Sequence, residues 1–537
     1  MCSTGSVTDE RHKAFIYRNG CKLHAFSREE APWPFSFNRE VLEQCALDHA
    51  MILKIADTQS FMDMSSRPPK RCLDLGTALG DWIIDTAQRF PKCTFVGFDL
   101  VDIQIPLRIL DPSIAKRIEW VHGNLLPFSA NEFDYIHLEG IGFAVPEDKW
   151  HWIFGELHRV LCPGGVIEVL QQDALFPVLP RWFTDPLHAH LEQRAPILPG
   201  RSRLAALPRV SDKLPHAHAL LEELFYAVFE TRFINPTPSS ILPDFFTTTF
   251  RHVISPPILR FPMPPIPPLV PRPDETAQSP PSRGPAITND PTNPYVEFIP
   301  ASGPNAQSAL SSSSTLVDAS STCSIPSRSR SRSASPRQST DSTTSHNTLQ
   351  LERSSSYASD ELTIPIDPEK RHSVATLVPS ETTSIGDESA AAVFQVEKMQ
   401  ALPSDNLFMH LYQAVHMVLA MKEAMWDELE RRVYAHDPTL MLFGWEPSDY
   451  DIRRSRERFD ALLERYRGDM QVRMSLWHSL VKAGWSYPRR EPLTTVELDE
   501  EEKLRQAILE ARKNAKEEDF VTPTRSIRFL TGVKDDS

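Results

Sequence analysis

The sequence predicts an α/β fold: a doubly wound, mostly parallel sheet with helical additions and a long disordered insertion. Three observations carry that prediction. Arg71-Cys72-Leu73-Asp74-Leu75-Gly76-Thr77-Ala78-Leu79-Gly80-Asp81-Trp82 reads as a short buried strand, a turn with two glycines and the start of a helix. From residue 71 to 173, uninterrupted apolar strands alternate with segments of helical periodicity, the pattern of a parallel sheet covered on both faces. From Pro271 to Ser389 the chain is rich in Ser, Thr and Pro and poor in core formers. Such a segment buries too little apolar surface to offset the entropy of ordering it.

The elements follow in order. A polar lead and the aromatic stretch Pro32-Trp33-Pro34-Phe35 precede a helix expected over Arg39–Ile55, and together they form a preamble over residues 1–70. Strands are expected at Cys72–Leu75, Thr94–Phe98, Ile118–His122, Phe133–Leu138 and Val166–Leu170, with helices at Trp82–Phe90 and Trp150–Leu161. Further helices are read near His216–Phe229 and Leu242–Phe250, so the first part of the main domain runs over 71–270. After the insertion at 271–389, one long helix is expected through Phe408–Leu429. A second is expected from Phe459 to Val481 and a charged one over Glu497–Lys516. Ser526–Val533 alternates like a strand. A terminal strand needs a sheet to pair with, so residues 390–537 are read as a helical lid and a strand that complete the same domain.

Bulk properties narrow the function. A formal net charge of −14 over 537 residues argues against a general nucleic-acid binder. Seven scattered cysteines without a C-x-x-C pair give neither a disulfide frame nor a zinc site. Met1–Lys13 is polar, and Leu407–Met421, the most apolar stretch, contains His410, Gln413 and His416. No secretory leader or membrane span is expected, and the location expected is cytoplasmic, with the nucleus as the second choice.

Gly76 and Gly80 form G-x-x-x-G, neither the dinucleotide fingerprint nor a P-loop. Asp99 closes the second strand, where a carboxylate accepts both hydroxyls of a ribose. Asn124 follows the third strand and suits a base edge, and Asp74 suits a cationic amine. A ligand carrying an amine, a carboxylate, a ribose and an adenine fits these groups better than a pyrophosphate does.

Four blocks then carry a resemblance: Leu73 to Trp82; Val96-Gly97-Phe98-Asp99-Leu100; Gly123-Asn124-Leu125-Leu126-Pro127-Phe128 before Phe133-Asp134; and Glu156 to Gly165. The sequence resembles the class I S-adenosylmethionine-dependent methyltransferases of the kind common in fungi, over about residues 70–175. The resemblance implies a seven-stranded Rossmann-like sheet whose last strand is antiparallel. It implies S-adenosyl-L-methionine as cofactor, with Asp74, Gly76, Thr77 and Gly80 at the methionine part. Asp99 would lie at the ribose, Asn124 and Leu125 at the adenine, and Leu100 and Leu138 also near the cofactor. Ala78 stands where the family usually has glycine, and Asn124 where it usually has aspartate. Ala78 is expected either to crowd the methionine carboxylate or to force a negative φ.

Methyl transfer from a sulfonium needs alignment and exclusion of water, and a general base is optional. The contributors expected lie beyond strand four (His137, Leu138, Glu139) and strand five (Gln171, Gln172, Asp173), with Glu139 as the catalytic choice. The plainer reading of Glu139 is a polar loop residue or a partner of the cofactor amine. No His, Cys or Asp spacing indicates a metal. The helices carrying Trp426, Trp445, Trp477 and Trp485 read as lid or support. Ser327–Pro336, an alternating Ser/Arg run, and Lys370-Arg371-His372-Ser373 read as phosphorylatable sites, so kinases or regulatory proteins are the partners expected at the insertion. The expected activity is methyl transfer to a small-molecule acceptor. A regulatory protein built on the methyltransferase fold is the alternative, and a nicotinamide-dependent oxidoreductase is disfavoured by the glycine spacing.

Overall fold

The computed structural model describes residues 14–56, 64, 68–194, 214–269, 407–474 and 494–535. The expected disordered insertion at 271–389, Trp477 and Trp485 lie outside the described residues. The described helices and strands are β1 (Phe15–Arg18), β2 (Cys21–His24), α1 (Arg39–Ala56), β3 (Arg71–Leu75), α2 (Asp81–Arg89), β4 (Thr94–Asp99), β5 (Ile118–His122), β6 (Phe133–Glu139), α3 (Trp150–Val160) and β7 (Leu161–Gln172). They continue with α4 (Arg181–Arg194), α5 (Ala219–Glu230), α6 (Pro238–Thr249), β8 (Arg251–Ile254), β9 (Leu259–Pro262), α7 (Leu407–Ala420), α8 (Lys422–Tyr434), α9 (Ile452–Met474), α10 (Thr495–Arg512) and β10 (Pro523–Val533). Shorter helical turns are left unnumbered.

The main sheet has the order β5-β4-β3-β6-β7-β10-β8, and β9 also pairs with β10 to make eight strands. The five strands from β5 to β7 are parallel, while β10 runs antiparallel to β7 from Ile527↔Gln172 to Val533↔Val166. The expected seven-strand path is therefore present, with β9 added at the edge. Alternation along the strands separates two faces. Leu73, Ile136 and Leu138 face the core beneath α3 and α6, while Cys72, Phe95 and Tyr135 pack against Trp82, Ile83 and Ala87 of α2.

Three expectations need correction. The long helix expected through Phe408–Leu429 is two helices, broken at Met421, whose φ of −88° and ψ of 7° leave the helical region. Pro163-Gly164-Gly165 does not stop before the fifth strand but lies inside β7, where Gly164 N–H donates to the carbonyl of Lys534 beside the end of β10. The polar lead holds a hairpin: Phe15↔His24 to Arg18↔Cys21 pair around Asn19-Gly20, both at positive φ. That dipeptide between strand formers is the signal of a primed turn.

The late helices are built into the rest of the molecule. Leu411, Val415, Trp426, Leu429, Phe459 and Tyr466 share one core with Phe35, Phe143, Phe176, Phe225 and Phe229. Arg473 donates to the carbonyls of Pro264 and Pro265, and Arg512 to that of Pro267 at 2.6 Å, so two guanidiniums fasten the proline-rich stretch at the end of the first part. Trp426 and Trp445 are buried supports, and Arg458 stacks over Trp445 at 4.0 Å.

Candidate functional site

The C-terminal ends of β3, β4, β5 and β6 lie along one edge of the sheet, as parallel pairing requires. The turn after β3 is held from within. The N–H groups of Gly76 and Thr77 both donate to the carbonyl of Phe98, and Ala78 N–H donates to Asp99 Oδ2 at 2.8 Å. Gly76, Ala78 and Gly80 take φ of +76°, +41° and +90°. The alanine therefore does not force a negative φ. It keeps the left-handed conformation and is fully buried.

Gly80 is required by packing as well as by its φ. A Cβ there would meet Cη2 of Trp120 at 2.4 Å, and one on Gly97 would meet Cζ3 of the same ring at 2.5 Å. Trp120 lies opposite Gly97 across β4 and β5, with its indole N–H donating to the carbonyl of Ile105 at 3.0 Å. The second glycine of the motif thus admits an indole of the neighbouring strand.

Asp74 is 1 % exposed. Its Oδ1 bonds Nδ1 of His137 at 2.9 Å, whereas Oδ2 is buried without a hydrogen-bond partner among the described residues. His137 stacks on Trp82 with ring centres 4.1 Å apart. Its Nε2 lies 3.7 Å from Glu168 and 3.9 Å from Glu139, and Tyr135 donates to Glu168 at 2.8 Å. Three carboxylates therefore surround one imidazole on the α2 face of the sheet. Glu139 belongs to this buried cluster and not to a loop, because it follows His137 by two positions in β6. Leu138 points to the opposite face and into the core, so only its backbone is left for a ligand at the edge. Glu168 is not among the contributors expected from the sequence, although a glutamate inside the apolar run of β7 is a legible signal.

Asp99 ends β4 and is 8 % exposed. Burial is the main cause that raises its pKa to about 6, opposed by the N–H groups of Ala78, Val101 and Leu100. Leu100 is half-buried against the helical core. Leu125 is exposed, and the amide of Asn124 donates to the carbonyl of Glu30 at 2.9 Å. That bond ties the turn after β5 to the stretch containing Ala31, Trp33, Phe35 and Phe37, all buried, with Phe35 packed on Phe143 at 5.3 Å. The early aromatics thus form a strap beside the expected cofactor edge.

These residues fit the expected cofactor. The orphaned Oδ2 of Asp74 needs a donor such as an ammonium group, and Asp99, although it accepts three backbone N–H groups, keeps a lone pair for ribose hydroxyls. Of the contributors expected beyond strand five, Gln171 accepts from Gly142 N–H, Gln172 from Arg525, and Asp173 from both N–H and hydroxyl of Ser239. They brace the edge. A cavity of about 850 Å³ adjoins them, walled by α1, α7, α9 and the start of β10. Val41, Tyr412, Val415, Met417 and Met474 supply apolar surface to it, and Gln44, Gln413 and Thr524 supply polar groups.

Sequence comparison finds methyltransferases among the similar proteins. Residues 72–165 match the model of a methyltransferase domain family. The secondary metabolism regulator laeA of Coprinopsis cinerea is 32 % identical over 130 residues, covering 21 % of this chain and 31 % of that protein. That of Aspergillus niger is 28 % identical over 166 residues, covering 30 % and 41 %. Sterol 24-C-methyltransferase erg6 of Schizosaccharomyces pombe is 31 % identical over 113 residues, covering 20 % and 29 %. The chain thus spans less than half the length of these relatives. Among solved structures, YcgJ of Bacillus subtilis aligns at 14 % identity with a TM-score of 0.23, covering 40 % of this chain and 74 % of that one.

Proposed function

We propose, from the premise that residues 72–165 form a class I S-adenosylmethionine-dependent methyltransferase domain, that this chain transfers a methyl group to a small molecule seated in the cavity under α7 and α9. The observation that carries this reading is the order of strand ends. The turn of Gly76–Gly80 follows β3, Glu139 ends the neighbouring β6, and Gln172 at the cavity wall ends the next strand, β7. Glu139 pairs with Leu170, two residues before Gln172, so the cavity begins about 5 Å sideways and about 7 Å further along the strand from Glu139.

The bound cofactor supplies a methyl carbon already activated by its sulfonium. This chain's residues supply position and field. Asp74 holds the ammonium end, with His137 fixing its carboxylate from below. Asp99 accepts the ribose hydroxyls, and the amide oxygen of Asn124 takes the adenine amine while its nitrogen stays on the strap. Asp74, Glu139 and Glu168 together set a negative potential under a cationic ligand. Glu139 does not line the cavity, so it serves as base only for an acceptor that extends from the cavity to the end of β6. The strap and the late helices exclude water. A second reading, a regulator on this fold, draws on Ala78 in the turn and on the relatives named as regulators.

Calorimetric titration of the full chain with S-adenosylmethionine, its demethylated product and NAD tests the binding half. Both sulfur compounds should bind and NAD should not. Affinity should fall below about pH 6, because protonation of Asp99 removes an acceptor from the ribose site. Asp99→Asn should weaken binding and remove that pH step. Met417→Trp, which fills the cavity, should abolish transfer of labelled methyl to extract components while leaving cofactor affinity within about twofold. Cofactor binding without any labelled product would favour the regulatory reading.

A further inference from the structure

We propose that His188, His218 and Asp469 form a binding site for a divalent transition-metal ion, with zinc as the ion that suits them best. The site is independent of the cofactor edge. His188 lies in α4, His218 caps the start of α5, and Asp469 lies near the end of α9. Their side chains are 11 %, 1 % and 5 % exposed. Nε2 of His188 is 2.8 Å and Nε2 of His218 is 2.9 Å from the same oxygen, Oδ2 of Asp469. One ligand atom from each of the three residues lies within 4.8 Å of the other two.

The convergence distinguishes this cluster from two other buried acid networks among the described residues. Glu423 meets Arg18 and Arg456, and Asp48 meets Arg525. In both cases permanent cations neutralise the carboxylate. At Asp469 the Nε2 atoms of two imidazoles converge on one carboxylate oxygen instead, and loss of their protons would free both lone pairs for an ion. Imidazole nitrogen and carboxylate oxygen form a donor set for zinc and its neighbours, whereas calcium and magnesium prefer oxygen alone. Around a tetrahedral ion with bonds of about 2.0–2.1 Å, donor atoms sit about 3.4 Å apart, so the two short contacts open by roughly half an ångström. Two histidines and one carboxylate leave a fourth position for water.

The surroundings set the geometry and the strength. His216 accepts the backbone N–H of His218 at 3.2 Å and is itself bonded to Glu222 at 2.8 Å, which fixes the entry to α5. Tyr466 packs edge-on against His218 at 5.1 Å and keeps the inner side apolar. Nδ1 of His218 is buried without a hydrogen-bond partner among the described residues. A ligating imidazole normally donates from its second nitrogen, and losing that partner weakens a site 10–100-fold. The expected affinity is therefore about 10–100-fold below that of a site whose two imidazoles are both supported. A bound ion would join residues 281 and 251 positions apart, across the stretch between the two halves of the domain. It would thus act as a clasp between the late helices and the segment after β7.

The test uses the full chain stripped with EDTA. Zinc chloride should bind in one equivalent by calorimetry and raise Tm by about 5 °C, and cobalt(II) should give the visible absorption of a four-coordinate site. His188→Gln and Asp469→Asn should each weaken binding at least about 50-fold and remove the metal-dependent rise in Tm. His151→Gln, on the exposed side of α3, should bind as the parent does. If the parent binds neither ion and has the same Tm in EDTA and in zinc, the cluster is a hydrogen-bonded clasp and the proposal fails. It also fails if binding persists undiminished in both substituted chains. Where a substituted chain does not fold, the parent's zinc titration and cobalt spectrum still decide.

Discussion

Ala78 holds φ at +41° with its methyl group fully buried, in a turn where both flanking glycines also adopt positive φ. A left-handed alanine costs about 1–2 kcal/mol, and the partners that hold it there are Asp99 below and the Gly76–Phe98 bond beside it. Ala78→Gly relieves that strain but adds freedom to the unfolded chain, so a net stabilisation of about 0.5–1 kcal/mol is expected by urea denaturation. Unchanged or lower stability would mean that the turn is relaxed around alanine. Asp74 and Asp99 were legible from the sequence because a carboxylate at the end of a parallel strand stands at the ligand edge. The pairing of Asp74 with His137, and the stacking of that imidazole on Trp82, were not. They depend on β3 and β6 being neighbours with Asp74 opposite His137.

At the scale of elements, β5 helps to shape the glycine turn. Trp120 projects across Gly97 to Gly80, so two glycines in different elements serve one indole. Gly97→Ala should destabilise by about 1–3 kcal/mol, since its methyl would also lie 2.8 Å from Cγ2 of Thr77. Adding Trp120→Leu should recover part of that loss, and thermal melts of the three chains check it. Absence of recovery would place the clash at Thr77. The bounds of β3, β4, β5 and β6 were readable to within one residue because buried parallel strands are continuous apolar runs, whereas β7 starts five residues before its apolar run. The break at Met421 was not readable, since the apolar periodicity of Leu411, Val415, Val418 and Leu429 continues through it. Packing of α7 on α9 and of α8 on α5 turns the chain there.

Across the whole molecule, β10 locks the two halves together. Arg525, 2 % exposed, makes a two-pronged pair with Asp48 of α1, which is fully buried, and donates to Gln172 at the cavity wall. His410 shares this environment, stacked on Phe261 at 3.7 Å, and burial beside Arg525 drives its pKa down to about 2. Arg525→Met leaves Asp48 charged and unpaired inside the protein, which should cost about 3–5 kcal/mol. Replacing both by leucine should restore much of it. Chemical denaturation of the single and double variants checks this, and equal losses in both would show that the charge pair is not the cause. The late helices, α1 and the aromatic strap all border the cavity or the strand ends, so we propose that the chain before residue 270 and after 407 folds as one domain.

The sequence by itself determined the α/β class, the parallel strands, the glycine turn and the carboxylates at the strand ends. Those features are local: a strand's apolar run, a turn's need for positive φ and a helix's periodicity are written within about a dozen residues. Only the tertiary structure decided the rest. Trp120 meets the turn through strand order, and Glu139 is drawn into a buried cluster by its pairing. Asp48 finds Arg525, and His188 and His218 meet Asp469 across 281 and 251 positions. Such contacts depend on which elements become neighbours. That is settled by the burial of the whole apolar surface at once, and no short stretch of the chain encodes it.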